Sequence, residues 1–225
     1  MGFRRFGSSK AANIGSAFHN VMEELNLKLI DGEVVGKEGL VEIIDEHYKP
    51  MRGMEKDPRE YDEFKDNVEN YYYNYSVNRE TLESEFDFEL FIDNYILNGA
   101  IDLIFRDSDG EIKILDYKYA EFNEDHIRGY IKQSYIYASA LKRIPEYKDY
   151  EVKKAIIHFV KDDYLYEVEI DEDKMATEFE RIKKVSQNIR DGIYRKEPEK
   201  AEECANCSYR YFCKPKEFAQ ELYNN

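Results

Sequence analysis

The sequence predicts an α/β (α+β) fold in which helices flank a central mixed sheet containing an antiparallel three-strand meander. Three observations carry this. Apolar residues recur at helical spacing through residues 13–78. The period then falls to two, with turn signals between the runs. A further helix, two short strands and a last helix follow before a tail that holds the cysteines.

The helices come first. Residues 13–30 place Ile14, Phe18, Val21, Met22, Leu25 and Leu29 on one stripe, with Asn13 as the expected N-cap. Residues 37–48 carry Leu40, Val41, Ile44 and Tyr48 in the same way. A longer helix is predicted over 58–78, with Pro58 in its first turn.

The strands follow. "TLESEFDFELFI" alternates Leu82, Phe86, Phe88, Leu90 and Ile92 with acidic residues. An Asp93-Asn94 turn leads to "YILNGAIDLIFR", and "DSDGE" leads to "IKILDYKYA". A helix over about 123–144, strands in "VKKAIIHFV" and "YLYEVEI", and a helix over 172–191 complete the pattern. The chain reads as one domain over 1–225, with a helical part at 1–80, a sheet core at 81–170 and a C-terminal helix and cysteine tail at 171–225.

At 225 residues the chain can bury a proper core, and 20 Tyr and 13 Phe with no Trp make that core ring-rich. The longest apolar run, "AIIHFV", is too short to cross a membrane. Three cysteines make no disulfide framework, so a reducing cytoplasm is the expected compartment. A net charge of -15 argues against a protein that coats nucleic acid. It does not exclude an enzyme acting on DNA, because the field of a bound cation outweighs the total charge locally.

The third strand of the meander carries the chemistry. Asp116 and Lys118 stand two apart, so they share a face of a strand that should be inside the sheet. A three-residue loop at Ser108-Asp109-Gly110, with Gly110 left-handed, pairs Asp107 with Glu111 and brings Asp102 opposite Asp116. Side chains so placed have β-carbons about 4.5–5.5 Å apart, and two carboxylates that close need a positive charge between them. Lys118 can neutralise one. A hard divalent cation such as Mg²⁺, which takes carboxylate, carbonyl and water oxygens, suits the pair better. The plainer reading of such a hairpin is an exposed, salt-bridged sheet face.

Motifs elsewhere favour the cation. "GSAFH" (Gly15 to His19), "EFDF" (Glu85 to Phe88), "GAID" (Gly99 to Asp102), "DYK" (Asp116 to Lys118) and "QSYIY" (Gln133 to Tyr137) stand in this order. Together they resemble the motif set of the RecB-like branch of the PD-(D/E)XK nuclease superfamily. That branch includes the nuclease domains of the AddAB and RecBCD helicase-nucleases and the CRISPR-associated RecB-type exonucleases. The resemblance implies a restriction-endonuclease-like core and a Mg²⁺- or Mn²⁺-dependent deoxyribonuclease acting in DNA repair or recombination. By it, Asp102, Asp116 and the Tyr117 carbonyl ligate the metal, and His19 completes the site. Lys118 positions the attacking water or neutralises charge on the phosphate. Glu85 orients water or holds a second metal, although Glu83, Asp87 and Glu89 alternate with it as an ordinary solvent face. Gln133 and Tyr137 flank the lysine and the scissile phosphate, although Tyr137 also suits the core. The partners implied are DNA and a helicase domain in the same or another chain.

Cys204, Cys207 and Cys213 are spaced C-x2-C-x5-C. They resemble three of the four cluster ligands in the iron–sulfur subset of that branch. The fourth is expected before the G-x-x-x-H helix, and "MGFRRFGSSKAANI" offers no cysteine. The readings left open are an excised domain, a degenerate 4Fe-4S site, and a Zn²⁺ site with a borrowed histidine. A nuclease fold that only binds DNA or a partner is the other class of function, and the intact Asp102, Asp116 and Lys118 speak against it.

Overall fold

The computed structural model describes residues 10–50, 56–148 and 150–193. Cys204, Cys207 and Cys213 lie outside the described residues. Residues 9–182 form one compact unit. A second takes in 1–8 and 183–225, of which residues 183–193 are described.

Three helices come first: α1 (Lys10–Ile30), α2 (Lys37–His47) and α3 (Pro58–Asn74). The meander follows as β1 (Glu80–Ile92), β2 (Tyr95–Arg106) and β3 (Ile112–Lys118). Then come α4 (Glu124–Leu141), β4 (Lys154–Phe159), β5 (Tyr164–Glu169) and α5 (Glu172–Arg190). The strands make one mixed sheet in the order β1-β2-β3-β4-β5. Only β3 and β4 run parallel, joined across α4; the other pairs are antiparallel. This is the flanked mixed sheet with an antiparallel meander that the sequence predicts.

Each face of the sheet carries its own core. Leu103, Phe105, Leu115 and Tyr117 pack with α1, α2 and α3 on one side. Ile101, Ile104, Ile112 and Ile114 pack with α4 and the start of α5 on the other. Phe18 anchors the first core: it is fully buried and meets Phe64, Tyr71 and Tyr117 edge-on, with ring centres 6.3, 6.2 and 5.7 Å away. Burying one such ring is worth about 1.5–3 kcal/mol. Because Phe18 is fixed inward, His19 is carried round toward the sheet.

Three expected boundaries shift for local reasons. Asn13 does not cap α1, which includes Lys10; its side-chain amide donates to the Lys49 carbonyl at 3.0 Å. The helix expected over 58–78 stops at Asn74, where Tyr75 leaves helical geometry (φ −120, ψ −53). The Asn78 amide then caps the Tyr73 and Asn74 carbonyls at 3.2 and 3.0 Å, and a single 3₁₀ turn follows. Helix α4 starts one residue later than expected because Asn123 is its N-cap, accepting from the Asp125 N–H at 2.9 Å.

The β2–β3 turn forms as its residues require. Gly110 has φ +82, its N–H donates to the Asp107 carbonyl, and the Asp107 N–H donates to the Glu111 carbonyl. The resulting register runs from Arg106↔Ile112 to Leu103↔Leu115. Asp102 and Asp116 are next in that row, and there the ladder ends.

Candidate metal and phosphodiester site

The site begins where β1 and β2 change faces. Leu103 packs into the α1 side of the sheet, and its partner Ser84 meets Asn26 of α1 at 3.2 Å. Two residues along, Ile101 and its partner Phe86 pack on the α4 side. In a regular strand residues two apart share a face, so both strands switch at the row of Glu85 and Asp102. The switch is visible in the backbone: Glu85 has φ +46, a left-handed conformation that costs a non-glycine residue about 1–3 kcal/mol. Glu83 turns to the Tyr147 hydroxyl at 2.9 Å, whereas Glu85 meets His19. Glu85 therefore does not belong to a uniform solvent face, which strict alternation would make of it.

Three donors converge at the switch. His19 Nδ1 lies 3.1 Å from Glu85 Oε1 and 3.6 Å from Asp102 Oδ2. One ligand atom from each of the three side chains falls within 4.8 Å of the others. Asp102 is held from below, accepting the Tyr117 main-chain N–H at 2.7 Å. The Tyr117 ring is buried, and its hydroxyl lies 3.3 Å from the Asn26 amide and 3.4 Å from the Arg79 guanidinium. Beside the cluster a cleft of about 550 Å³ is lined by Gly15, Ser16, His19, Asn20, Glu85 and Asp87.

Asp116 and Lys118 form a second group. Lys118 Nζ lies 2.5 Å from Asp116 Oδ2, 3.4 Å from Gln133 Oε1 and 4.7 Å above the Tyr130 ring. Asp116 Oδ2 is buried, and the Lys118 ammonium is its charged contact. Gln133 in turn donates to the Tyr137 hydroxyl at 2.6 Å. Helix α1 thus reaches the row with His19, and α4 reaches it with Gln133 and Tyr137. The structure places His19, Glu85 and Asp102 together, and gives Asp116 to Lys118.

The electrostatics follow from burial. Loss of water pushes the Asp102 carboxyl up to about 7; the Asp116 charge adds to this, and His19 and the Tyr117 N–H pull back. Asp116 is also raised by burial, against the pull of Lys118. Burial opposes the charged form of His19, but Glu85, Asp102 and Asp116 outweigh it and raise its pKa. Burial, with the two aspartates, holds the Tyr137 phenol protonated. Repelling carboxylates gathered at an imidazole fit a divalent cation that prefers oxygen.

A sequence model of the PD-(D/E)XK nuclease superfamily matches residues 2–214. The chain belongs to that superfamily. No curated protein matches it. Among solved structures it is similar to the crystal structure of SSO0001, at 15% identity and a TM-score of 0.43, covering 93% of this chain and 88% of the other. Members of this nuclease superfamily typically use Mg²⁺ or Mn²⁺, in keeping with the donor set at His19, Glu85 and Asp102. Among the described residues, no helix is long and apolar enough to cross a membrane.

Two contributors escaped the sequence reading. Tyr130 stands at helical spacing with Ile127, Ser134 and Tyr137 and reads as core, yet its ring faces Lys118. Asn26 reads as a polar residue of α1, yet it is fully buried against Ser84 and Tyr117. A polar residue inside an apolar helical stripe was the available signal for Asn26; Tyr130 offered none.

Proposed function

We propose that the chain is a RecB-like, metal-dependent DNA nuclease that hydrolyses phosphodiester bonds in repair or recombination, alone or beside a helicase domain. The observation that carries this is the convergence of His19, Glu85 and Asp102 next to the Asp116–Lys118 pair. The RecB-like assignment rests on the motifs that meet there. The G-x-x-x-H histidine meets the E-x-x-F glutamate and the G-x-x-D aspartate, and the glutamine of Q-x-x-x-Y meets the D-Y-K lysine.

His19, Glu85, Asp102 and Asp116 would hold Mg²⁺ or Mn²⁺. Such an ion polarises a phosphoryl oxygen and makes a bound water a nucleophile near neutral pH. The chain's own residues do the rest. Lys118 offers an ammonium to the charge that develops on the phosphate. Gln133 steadies that ammonium and is steadied by Tyr137. The Tyr117 N–H fixes the Asp102 carboxylate without using a solvent-exposed group.

The test is cleavage of end-labelled single- and double-stranded oligonucleotides with Mg²⁺ or Mn²⁺. Degradation should stop with chelator and fall about 10²-fold or more in Asp116→Asn. Wild-type protein that binds DNA and metal without cutting would overturn the reading.

A further inference from the structure

Lys118 has two sets of neighbours. One is the Asp116 carboxylate at 2.5 Å. The other is neutral: Gln133 Oε1 at 3.4 Å and the Tyr130 ring, whose centre lies 4.7 Å from Nζ. Tyr130 and Gln133 are one turn apart on α4, so they present one surface to the ammonium. Phe159 meets the ring edge-on, 6.0 Å away, and is the register partner of Lys118 on β4.

The two sets serve different needs. An ammonium paired with Asp116 is neutralised, and it competes for a carboxylate oxygen that a cation would also use. An aromatic face attracts an ammonium without neutralising it, and more strongly where water is scarce. We propose that Tyr130 is a positioning residue: its ring, with Gln133, holds the Lys118 ammonium when a cation takes Asp116, and leaves its charge for the phosphate. This rests on the nuclease reading for its purpose, but the seat itself is testable without catalysis.

The experiment compares the wild-type chain with Tyr130→Phe, Tyr130→Leu and Tyr130→Met. The last two fill the half-buried position without a π face, and either serves if the other folds poorly. The first readout is NMR of protein labelled at the lysine ε-carbon, with the Lys118 signal assigned by its loss in Lys118→Arg. Ring current should shift the Lys118 ε-protons upfield in wild type and Tyr130→Phe but not in the aliphatic variants. Diamagnetic Mg²⁺ should increase that shift. The second readout is steady-state cleavage: kcat should fall about tenfold in the aliphatic variants with KM little changed, and Tyr130→Phe should restore most of it.

A Lys118 signal that is the same with and without the ring overturns the seat. So does an aliphatic variant as fast as wild type, or a Tyr130→Phe enzyme as slow as the aliphatic ones. Should wild type fail to cut with either metal, the nuclease reading falls, and the NMR comparison still decides the seat.

Discussion

The Asp102 carboxylate accepts the main-chain N–H of Tyr117 at 2.7 Å, at the point where the β2–β3 ladder stops. A side chain of one strand takes the place of its backbone, and the two strands part around a buried carboxylate. That bond fixes Asp102 beside His19 while Asp116, one residue before Tyr117, turns to Lys118. Stability and chemistry conflict here, and the conflict can be measured.

Asp102→Asn removes one of two buried charges that repel each other but keeps an oxygen for the Tyr117 N–H. Cleavage should fall about 10²-fold or more. The metal-free variant should be more stable than wild type at pH 8, and a gain of about 1 kcal/mol raises Tm by roughly 2–4 °C in a chain of this size. Thermal melts in chelator check it; a lower Tm would mean that the charge is structurally required.

The same groups set a pH dependence. Below about 3.9, the ordinary value for an unfolded aspartate, both states are protonated and Asp102 contributes no penalty. Between there and about 7 the unfolded chain ionises while the folded Asp102 holds its proton, so metal-free stability is lost as pH rises. The raised pKa of His19 acts in the same direction. His158, lowered by burial, acts oppositely, losing stability as pH falls. The difference in Tm between wild type and Asp102→Asn removes the His158 contribution; it should widen from pH 5 to pH 8 and shrink when Mg²⁺ is added.

Phe88 and Gly99 face each other across β1 and β2, and a Cβ at Gly99 would come within 2.8 Å of the Phe88 ring. The ring is buried and cannot swing away freely. Gly99→Ala should cost about 1–3 kcal/mol by overpacking. Phe88→Leu should recover part of this in the double variant, which denaturant melts and a double-mutant cycle would reveal. Simple additivity would show that the two residues do not press on each other.

Glu85→Asn tests the strained position. Asparagine tolerates the left-handed backbone better than glutamate, so folding should be unchanged or gain up to about 1 kcal/mol. Mn²⁺ affinity, read by calorimetry, should fall as the carboxylate leaves His19. Unchanged affinity would remove Glu85 from the proposed ligand set.

Much of this was legible because turn chemistry is local. Gly110 after Asp107-Ser108-Asp109 dictates a three-residue loop, the loop dictates the register, and the register brings Asp102 into the row of Asp116. The face switch at Glu85 was not legible. Alternation in "TLESEFDFELFI" assumes a regular pleat, and nothing in the composition marks a glutamate that will take a positive φ. Asn13 shows the same limit, since an asparagine reads as a cap until its tertiary partner is known. The row of acceptors was visible; the bend that aims them was not.

If Lys118 acts on the phosphate in a centre built from His19, Glu85, Asp102 and Asp116, its loss should slow the chemical step alone. Single-turnover cleavage by Lys118→Ala at saturating Mn²⁺, with DNA and metal binding measured on the same preparation, tests it most directly. The rate should lie about 10²-fold or more below wild type with both affinities little changed. A rate within a few-fold of wild type would contradict it.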